Sequence, residues 1–405
     1  MQEIDEVKKT MVRPLEGIKV LDLSRALAGP YCTMMLADMG AEVIKLEIPG
    51  RGDDSRAWGP PFKEGESAYF MSVNRNKKSM TLNLKKEKAL EIIHKLIKQS
   101  DVLLENFRPG TMERLKLSYD DVKEISPNII YCSISGFGQD GPYRLLPGMD
   151  QVLQGMGGLM SITGEPNGPP IKVGVAVADI AGGMFAAYGI MVALFNKEKT
   201  GKGQKIDNSL LDNQIAWLTY RAGSFFMSGE IPKPLGSGHP VIVPYQAFKA
   251  KDSYFNLAVG NDQLWEKFCK AVGLDEIIYD PRFSTNSKRV ENREAVVKII
   301  DDLICTKESE QWLKILTDAG IPCGPIYTLD KLFSDPQVLH RKMVQTLDHS
   351  TAGKIKVTGV PIKLSETPGE ILTAPPVLGQ HTEDILIKLG YNEEDIESMY
   401  QEKII

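Results

Sequence analysis

The sequence predicts an α/β protein, with a large parallel-sheet domain and a smaller α+β domain. Three observations carry this. The chain has 405 residues, more than one ordinary core holds, so two domains are expected. Short apolar runs alternate with helix-length segments over the first part of the chain. Beyond residue 230 the pattern changes to hairpins, helices and Pro/Gly-rich connections.

The elements follow in order. "IKVLDLS" (18–24) is a buried-strand run, followed by the loop "RALAG" and a helix opened by Pro30 and closed at Gly40. "AEVIKLE" (41–47) is the next strand, completing a βαβ unit of the kind that builds parallel sheets. Strand 78–85, helix 86–100, strand 101–106, helical residues 110–126 and strand 128–136 repeat the pattern, and a Gly/Pro-rich loop runs to Asp150. A charged turn, "FNKEKTGKGQ", leads to a long helix from about Ser209 to Gly229. Residues 1–229 thus form the large domain, completed by two terminal helices within 376–405; residues 230–365 form the small domain, and 366–375 a linker.

Composition narrows the function. With 42% hydrophobic and 25% charged residues the chain is globular, and a net charge of -5 argues against nucleic-acid binding by bulk positive charge. It leaves room for a local basic pocket. Five scattered cysteines without a CxxC pair, and an N-terminus without an apolar signal core, fit a cytoplasmic location. No HExxH occurs and the histidines are dispersed, so no metal site is expected. The apolar run 180–195 is shorter than the ~20 residues of a spanning helix, so a helix buried on all sides is expected rather than a membrane segment.

Familiar nucleotide and hydrolase motifs are missing. The loop after the first strand lacks GxGxxG, so Glu47 reads better as a strand end than as a ribose ligand. "GKGQK" (201–205) lacks Walker spacing, no GxSxG occurs, and Cys323 has no histidine nearby in sequence and reads as a packed thiol.

The stretch "IKVGVAVADIAGGMFAAYGIMVALF" (171–195) holds one carboxylate, Asp179, and burying it is costly without compensation. The residues before it alternate small and β-branched, which places Asp179 at a strand-to-helix junction, as an N-cap or as a chemical group. Gly174, Ala176, Ala178, Ala181, Gly182 and Gly183 leave room for a substrate. The two roles are compatible, since helix N–H groups would orient the carboxylate and keep it ionised. Such a carboxylate acts as a base or a nucleophile. Attack on a thioester gives a mixed anhydride, which keeps the acyl group activated without ATP.

The segments "PLEGIKVLDLSRALAGPYCTMMLADMGAEVIKLE", "GRGDDSRAWGPPF", "DVLLENFRPGTMERL", "YCSISGFGQDGP", "KVGVAVADIAGGMFAAYGIMVALFNKEKTGKGQKID" and "GIPCGPIYTLDKLFSDPQV" resemble, in order, the class III CoA-transferases, the CaiB/BaiF family. The resemblance implies an interlocked homodimer, each subunit having a Rossmann-like large domain and a smaller one. It implies Asp179, in "GVAVAD", as the nucleophile, with coenzyme A thioester as substrate, no tightly bound cofactor, and small carboxylic acids as the other ligands. It carries the CoA site onto Leu27, Ala28, Lys85, Asn106, Phe107 and Arg114.

Formyl-CoA transferases of this family have Gln where this chain has Leu27, Arg near Ile48, and Tyr-Glu where it has Met149-Asp150. Related racemases carry a catalytic His at the position of Met149, and methionine cannot move a proton. "GDDSRAWGPPF", "SVNRNKKS" and "GSGHPVIVPYQAF" most resemble the succinyl-CoA branch, with dicarboxylate acceptors. On that reading Met149, Asp150, Gly236, Gly238 and His239 serve substrate binding or the oxyanion, and 236–240 covers the active site or is a plain linking turn. Arg56, Arg75 and His239 either neutralise a distal carboxylate or are structural, the arginines holding loops through backbone carbonyls. A racemase and a non-catalytic CoA-binding protein are the alternatives.

Overall fold

The structure, a computed structural model, describes residues 13–405. It divides into two units: one holds the described chain up to Leu159, Val173–Ala222 and Pro336–Ile405, the other Met160–Lys172 and Gly223–Asp335.

The first unit is built on a six-stranded parallel sheet. Its strands are β1 (Lys19–Asp22), β2 (Glu42–Glu47), β3 (Lys77–Thr81), β4 (Val102–Glu105), β5 (Ile130–Ser135) and β6 (Lys205–Ser209). Their order is β3-β2-β1-β4-β5-β6. Helices α1 (Ala28–Asp38), α2 (Glu87–Lys98), α3 (Asp150–Met156) and α4 (Val177–Thr200) are those that matter for the site.

Alternate strand residues feed opposite layers, as pleating requires. Leu21 and Leu103 point to the layer holding Ile92, Ile93 and Ile97 of α2 and the C-terminal Leu386, Met399 and Ile405. Val20, Val102 and Leu104 point to the layer holding Cys32 and Leu36 of α1 and Ala178, Ala186 and Ile190 of α4.

The second unit packs helices on an antiparallel sheet of β7 (Tyr245–Lys249), β8 (Tyr254–Ala258) and β9 (Cys323–Pro325), with β8 central. Phe248, Phe255, Trp265 and Trp312 anchor its core. The hairpin of β10 (Val344–His349) and β11 (Gly353–Thr358), placed by sequence in the small domain, groups with the first unit. Ile355 and Val357 pack with Met71, and Arg75 donates to the Thr358 carbonyl.

Three local expectations change. Residues 171–176 form no strand; the strand that pairs with β5 on that side of the sheet is β6. The long helix after Ser209 breaks into Leu210–Trp217 and Thr219–Ser228, with Thr219 at φ 40°. The helix of residues 110–126 breaks into Thr111–Arg114 and Tyr119–Ile125, the second started by a Ser118–Asp121 capping box.

The α4 helix also departs from the buried helix expected. At 24 residues it is long and apolar enough to cross a membrane by length and composition alone. It instead lays its small face on α1 within the α/β unit, while Met184, Tyr188, Met191, Val192 and Phe195 form an exposed apolar stripe on the other face.

Candidate active site

Strand order reverses between β1 and β4, and in such sheets ligands bind outside the carboxyl ends at that point. Two segments emerge there, 24–28 after β1 and Asn106–Phe107 after β4. Asn106 joins them: its side chain accepts from the Arg25 N–H and donates to the Arg25 carbonyl, each at 2.8 Å. The Arg25 guanidinium lies 5.0 Å from the centre of the Phe107 ring.

The first loop is strapped from within the fold. Lys45 and Asp53, both fully buried, pair at 2.8 Å. Lys45 donates to the Ser24 carbonyl at 2.7 Å, and Asp53 accepts from the Ala26 N–H at 3.1 Å. Ala26 adopts φ 66°, a left-handed geometry that a residue with a Cβ holds only under such support. Burial alone would raise the Asp53 carboxyl, but Lys45 and the neighbouring N–H groups outweigh it and hold it down at about 2. Burial pushes Lys77, paired with Asp22 at 3.3 Å, down to about 8.

Beside this loop lies a cleft of about 450 Å³, within the range of small-molecule sites. Lys85, Phe107 and Arg114 line it together with Leu46, Leu84 and Leu115. Lys85 and Arg114 are exposed. Two cations over apolar walls suit a ligand that combines anionic groups with a flat ring. Leu27 and Ala28 sit at the start of α1, and Asn106 orders the loop rather than lining the cleft.

Asp179 is the third residue of α4, not its N-cap; Ala176 holds that position and has no side chain to cap with. The cap comes from α3. Asp150 accepts the Ala178 N–H through Oδ1 at 2.8 Å and the Gln154 side-chain amide through Oδ2, also at 2.8 Å. Gln154 in turn accepts the Val173 N–H at 2.9 Å. Asp150 therefore spends both oxygens on the protein.

Gly182 and Gly183 serve packing. A Cβ on Gly183 would lie 2.7 Å from the Ala28 carbonyl, and one on Gly182 would lie 2.2 Å from the Leu210 side chain. α4 thus crosses α1 at Ala28, and Asp179 lies about one helical turn from that crossing.

The expectation that helix N–H groups keep Asp179 ionised is corrected. Burial, with the Asp150 charge adding to it, pushes its carboxyl up to about 7. No hydrogen bond or ion pair to it among the described residues offsets this. Tyr69, absent from the sequence reading, feels its charge. Burial and the charges of Asp179, Asp150 and Asp53 push its phenol up to about 12, so it stays a proton donor. Tyr69 sits on the short helix Ala68–Ser72, edge-on to Trp58 at 4.9 Å.

Other expected residues lie elsewhere. Arg56 makes a two-pronged pair with Glu47 at 2.7 and 2.8 Å, its guanidinium 3.6 Å from the centre of the Phe70 ring. Arg75, buried, pairs with Asp38 at 2.7 Å. Both guanidiniums pair with scaffold acids and also donate to backbone carbonyls, of Pro376 at 3.1 Å and Thr358 at 2.7 Å, as the structural one of the two expected roles requires. Met149, in extended backbone before α3, is exposed. Gly236, Gly238 and His239 belong to the second unit. There the Gly236 N–H donates to the Gly164 carbonyl at 2.8 Å. His239 stacks on Tyr245, ring centres 5.2 Å apart, and Arg293 donates to its carbonyl.

A half-buried carboxylate one helical turn from the α1–α4 crossing, and a basic and apolar cleft beside the 24–28 loop, are the groups that a group-transfer reaction would need. A profile of CoA-transferase family III matches residues 15–382. A human protein named succinyl-CoA:glutarate CoA-transferase is 46% identical over 375 residues, 93% of this chain and 86% of that protein. A succinate–glutarate CoA-transferase of Agrobacterium fabrum is 41% identical over 382 residues, 93% of this chain and 96% of that protein. The crystal structure of a CaiB/BaiF family protein from Brucella suis is 40% identical with a TM-score of 0.83, covering 93% of this chain and 99% of that one. The chain belongs to CoA-transferase family III. It is an enzyme of that class, with CoA thioesters as substrates.

Proposed function

We propose that this enzyme moves CoA from succinyl-CoA to a dicarboxylate such as glutarate, with Asp179 as the nucleophile. The observation that carries the nucleophile is the Asp179 carboxylate itself, unpaired among the described residues and one turn along α4 from the point where that helix crosses α1 at Ala28. The donor and acceptor follow the human and Agrobacterium relatives, named for succinyl-CoA or succinate and glutarate.

An Asp179 oxygen attacks the thioester carbon, and CoA thiolate leaves, giving a succinyl–aspartyl anhydride. The thiolate attacks the aspartyl carbonyl; succinate departs and Asp179 carries CoA as a thioester. The acceptor carboxylate then displaces the thiolate, forming a second anhydride. Thiolate attack on the acceptor carbonyl releases the new acyl-CoA and restores the carboxylate. One carboxylate and one thioester enter and leave, so the sequence needs no ATP. Lys85 and Arg114 hold CoA phosphates, Phe107 packs its base, and the 24–28 loop with Leu27 and Ala28 guides the thiol arm. The Tyr69 phenol, held protonated, serves as a donor to the oxyanion that forms at each attack.

Racemisation is not favoured, because Met149 stands where a second proton carrier would be needed. We infer a homodimer from the apolar stripe on α4, since an exposed patch of that kind marks an interaction face.

The test supplies purified enzyme with succinyl-CoA and a panel of carboxylates, and reads the acyl-CoA products by chromatography. Glutaryl-CoA and succinate in equal amounts are expected. No acyl-CoA product from any dicarboxylate overturns the proposal.

A further inference from the structure

The first turn of α4 cannot cap itself. A helix start leaves N–H groups without intrahelical partners, and alanine at the N-cap position offers no acceptor. The segment before it, 171–176, has no strand to lean on. Something outside α4 must fix where Asp179 points.

Asp150 and Gln154, one turn apart on α3, supply it. The Ala178 N–H donates to Asp150 Oδ1, the Gln154 Nε2 donates to Asp150 Oδ2, and the Val173 N–H donates to Gln154 Oε1. The chain of bonds has one polarity, and every donor meets an acceptor. Gln154 is fully buried, so a reversed amide would have no water to rescue it. The two contacts grip both ends of the stretch 173–178, immediately before Asp179.

We propose that Asp150 and Gln154 are positioning residues that clamp the stretch before the nucleophile, and that the Asp150 carboxylate, bonded to the N–H of the residue before Asp179, adds its charge to the burial that governs when Asp179 becomes reactive. This rests on the reading that Asp179 is the nucleophile. The titratable groups coupled to Asp179 are Asp150 from α3 and the Tyr69 phenol from Ala68–Ser72, and Asp53 acts on Tyr69 in turn. Gln154 is neutral, so Asp150 is the one charge in the clamp.

The bond polarity yields a specific experiment. Asp150→Asn alone sets two amide donors against each other, and turning the Gln154 amide moves the conflict to the Val173 N–H. Gln154→Glu alone sets two carboxylates together. The paired substitution satisfies all the bonds again, with the same net charge now centred on position 154. Each single substitution is expected to lower kcat/KM at pH 8 by about 10–100-fold, the scale of an ångström-sized misplacement. The pair is expected to recover most of that loss, with its acid limb shifted to lower pH than in the unaltered enzyme. Thermal melts identify any variant that is merely unfolded, and the pair repeats the readout in a satisfied network.

Singles that lose nothing at pH 8, a pair no better than the worse single while folded, or an acid limb unmoved in the pair overturns the clamp. Hydroxylamine trapping of the unaltered enzyme with succinyl-CoA separates the two readings. If Asp179 is not modified there, the nucleophile reading itself has failed. If it is modified and the pair does not recover, only the clamp has.

Discussion

A carboxylic acid attacks a thioester only when ionised, and Asp179 is pushed up to about 7, chiefly by burial. Desolvation that raises the pKa also makes the ionised oxygen a stronger nucleophile. We therefore expect kcat/KM to fall about tenfold per pH unit below about pH 7 and to level above it. A profile flat from pH 5 to 8 would contradict this. The same shift affects stability. Its folded value lies above the ordinary 3.8, so the fold favours the protonated form; that contribution is complete below about pH 4 and is lost as pH rises through about 7. Asp179→Asn should abolish transfer while stabilising the protein at pH 8 by roughly 1–3 kcal/mol in urea titrations. Destabilisation would show that the carboxylate is not strained by burial. Asp179 stands out in the sequence as the candidate because a single acid lies among small residues. Its cap was not, because Asp150 lies 28 residues before Ala178 and no local pattern links them. Tyr69 was missed because its five-residue helix carries no readable period.

Elements with a strong apolar run were the legible ones. β1, β2, β4 and β5 stand out as fully or largely buried strands, whereas β6 alternates polar residues at the sheet edge and offers no such run. Helix breaks at Leu218 and Lys116–Ser118 escaped notice because the composition on both sides is helix-compatible. Of the two roles open to Arg56 and Arg75, the contacts match the structural one, but their acid partners were not readable: Glu47 and Asp38 lie 9 and 37 residues away and meet them only in the fold. Arg75 joins the end of α1 to β11, through Asp38 and the Thr358 carbonyl. Arg75→Ala leaves Asp38 buried without its partner, and should cost about 3–5 kcal/mol in urea unfolding. A substrate-binding Arg75 would instead raise KM for the dicarboxylate and leave stability unchanged.

For the molecule as a whole, the parallel sheet and the α+β unit were readable from the change in pattern near residue 230. The return of the C-terminal helices to the first unit was expected; that of β10 and β11 was not, since chain order does not show which core an amphipathic segment joins. The α4 stripe bears on assembly. Tyr188 and Phe195 are 68% and 63% exposed in the single chain, on a helix whose other face lies in the core. Light scattering should give twice the 44.9 kDa of one chain. Tyr188→Glu with Phe195→Glu should reduce the dimer fraction. A monomeric mass for the unaltered protein would contradict the assembly.

The most direct measurement is of Asp179 itself. Enzyme mixed with succinyl-CoA and no acceptor is quenched with borohydride, digested, and its peptides weighed. The account predicts reduction of the Asp179 side chain to an alcohol on the peptide that contains it, and none in Asp179→Asn. An unmodified Asp179 in enzyme that still exchanges CoA, or transfer that survives Asp179→Asn, would contradict it.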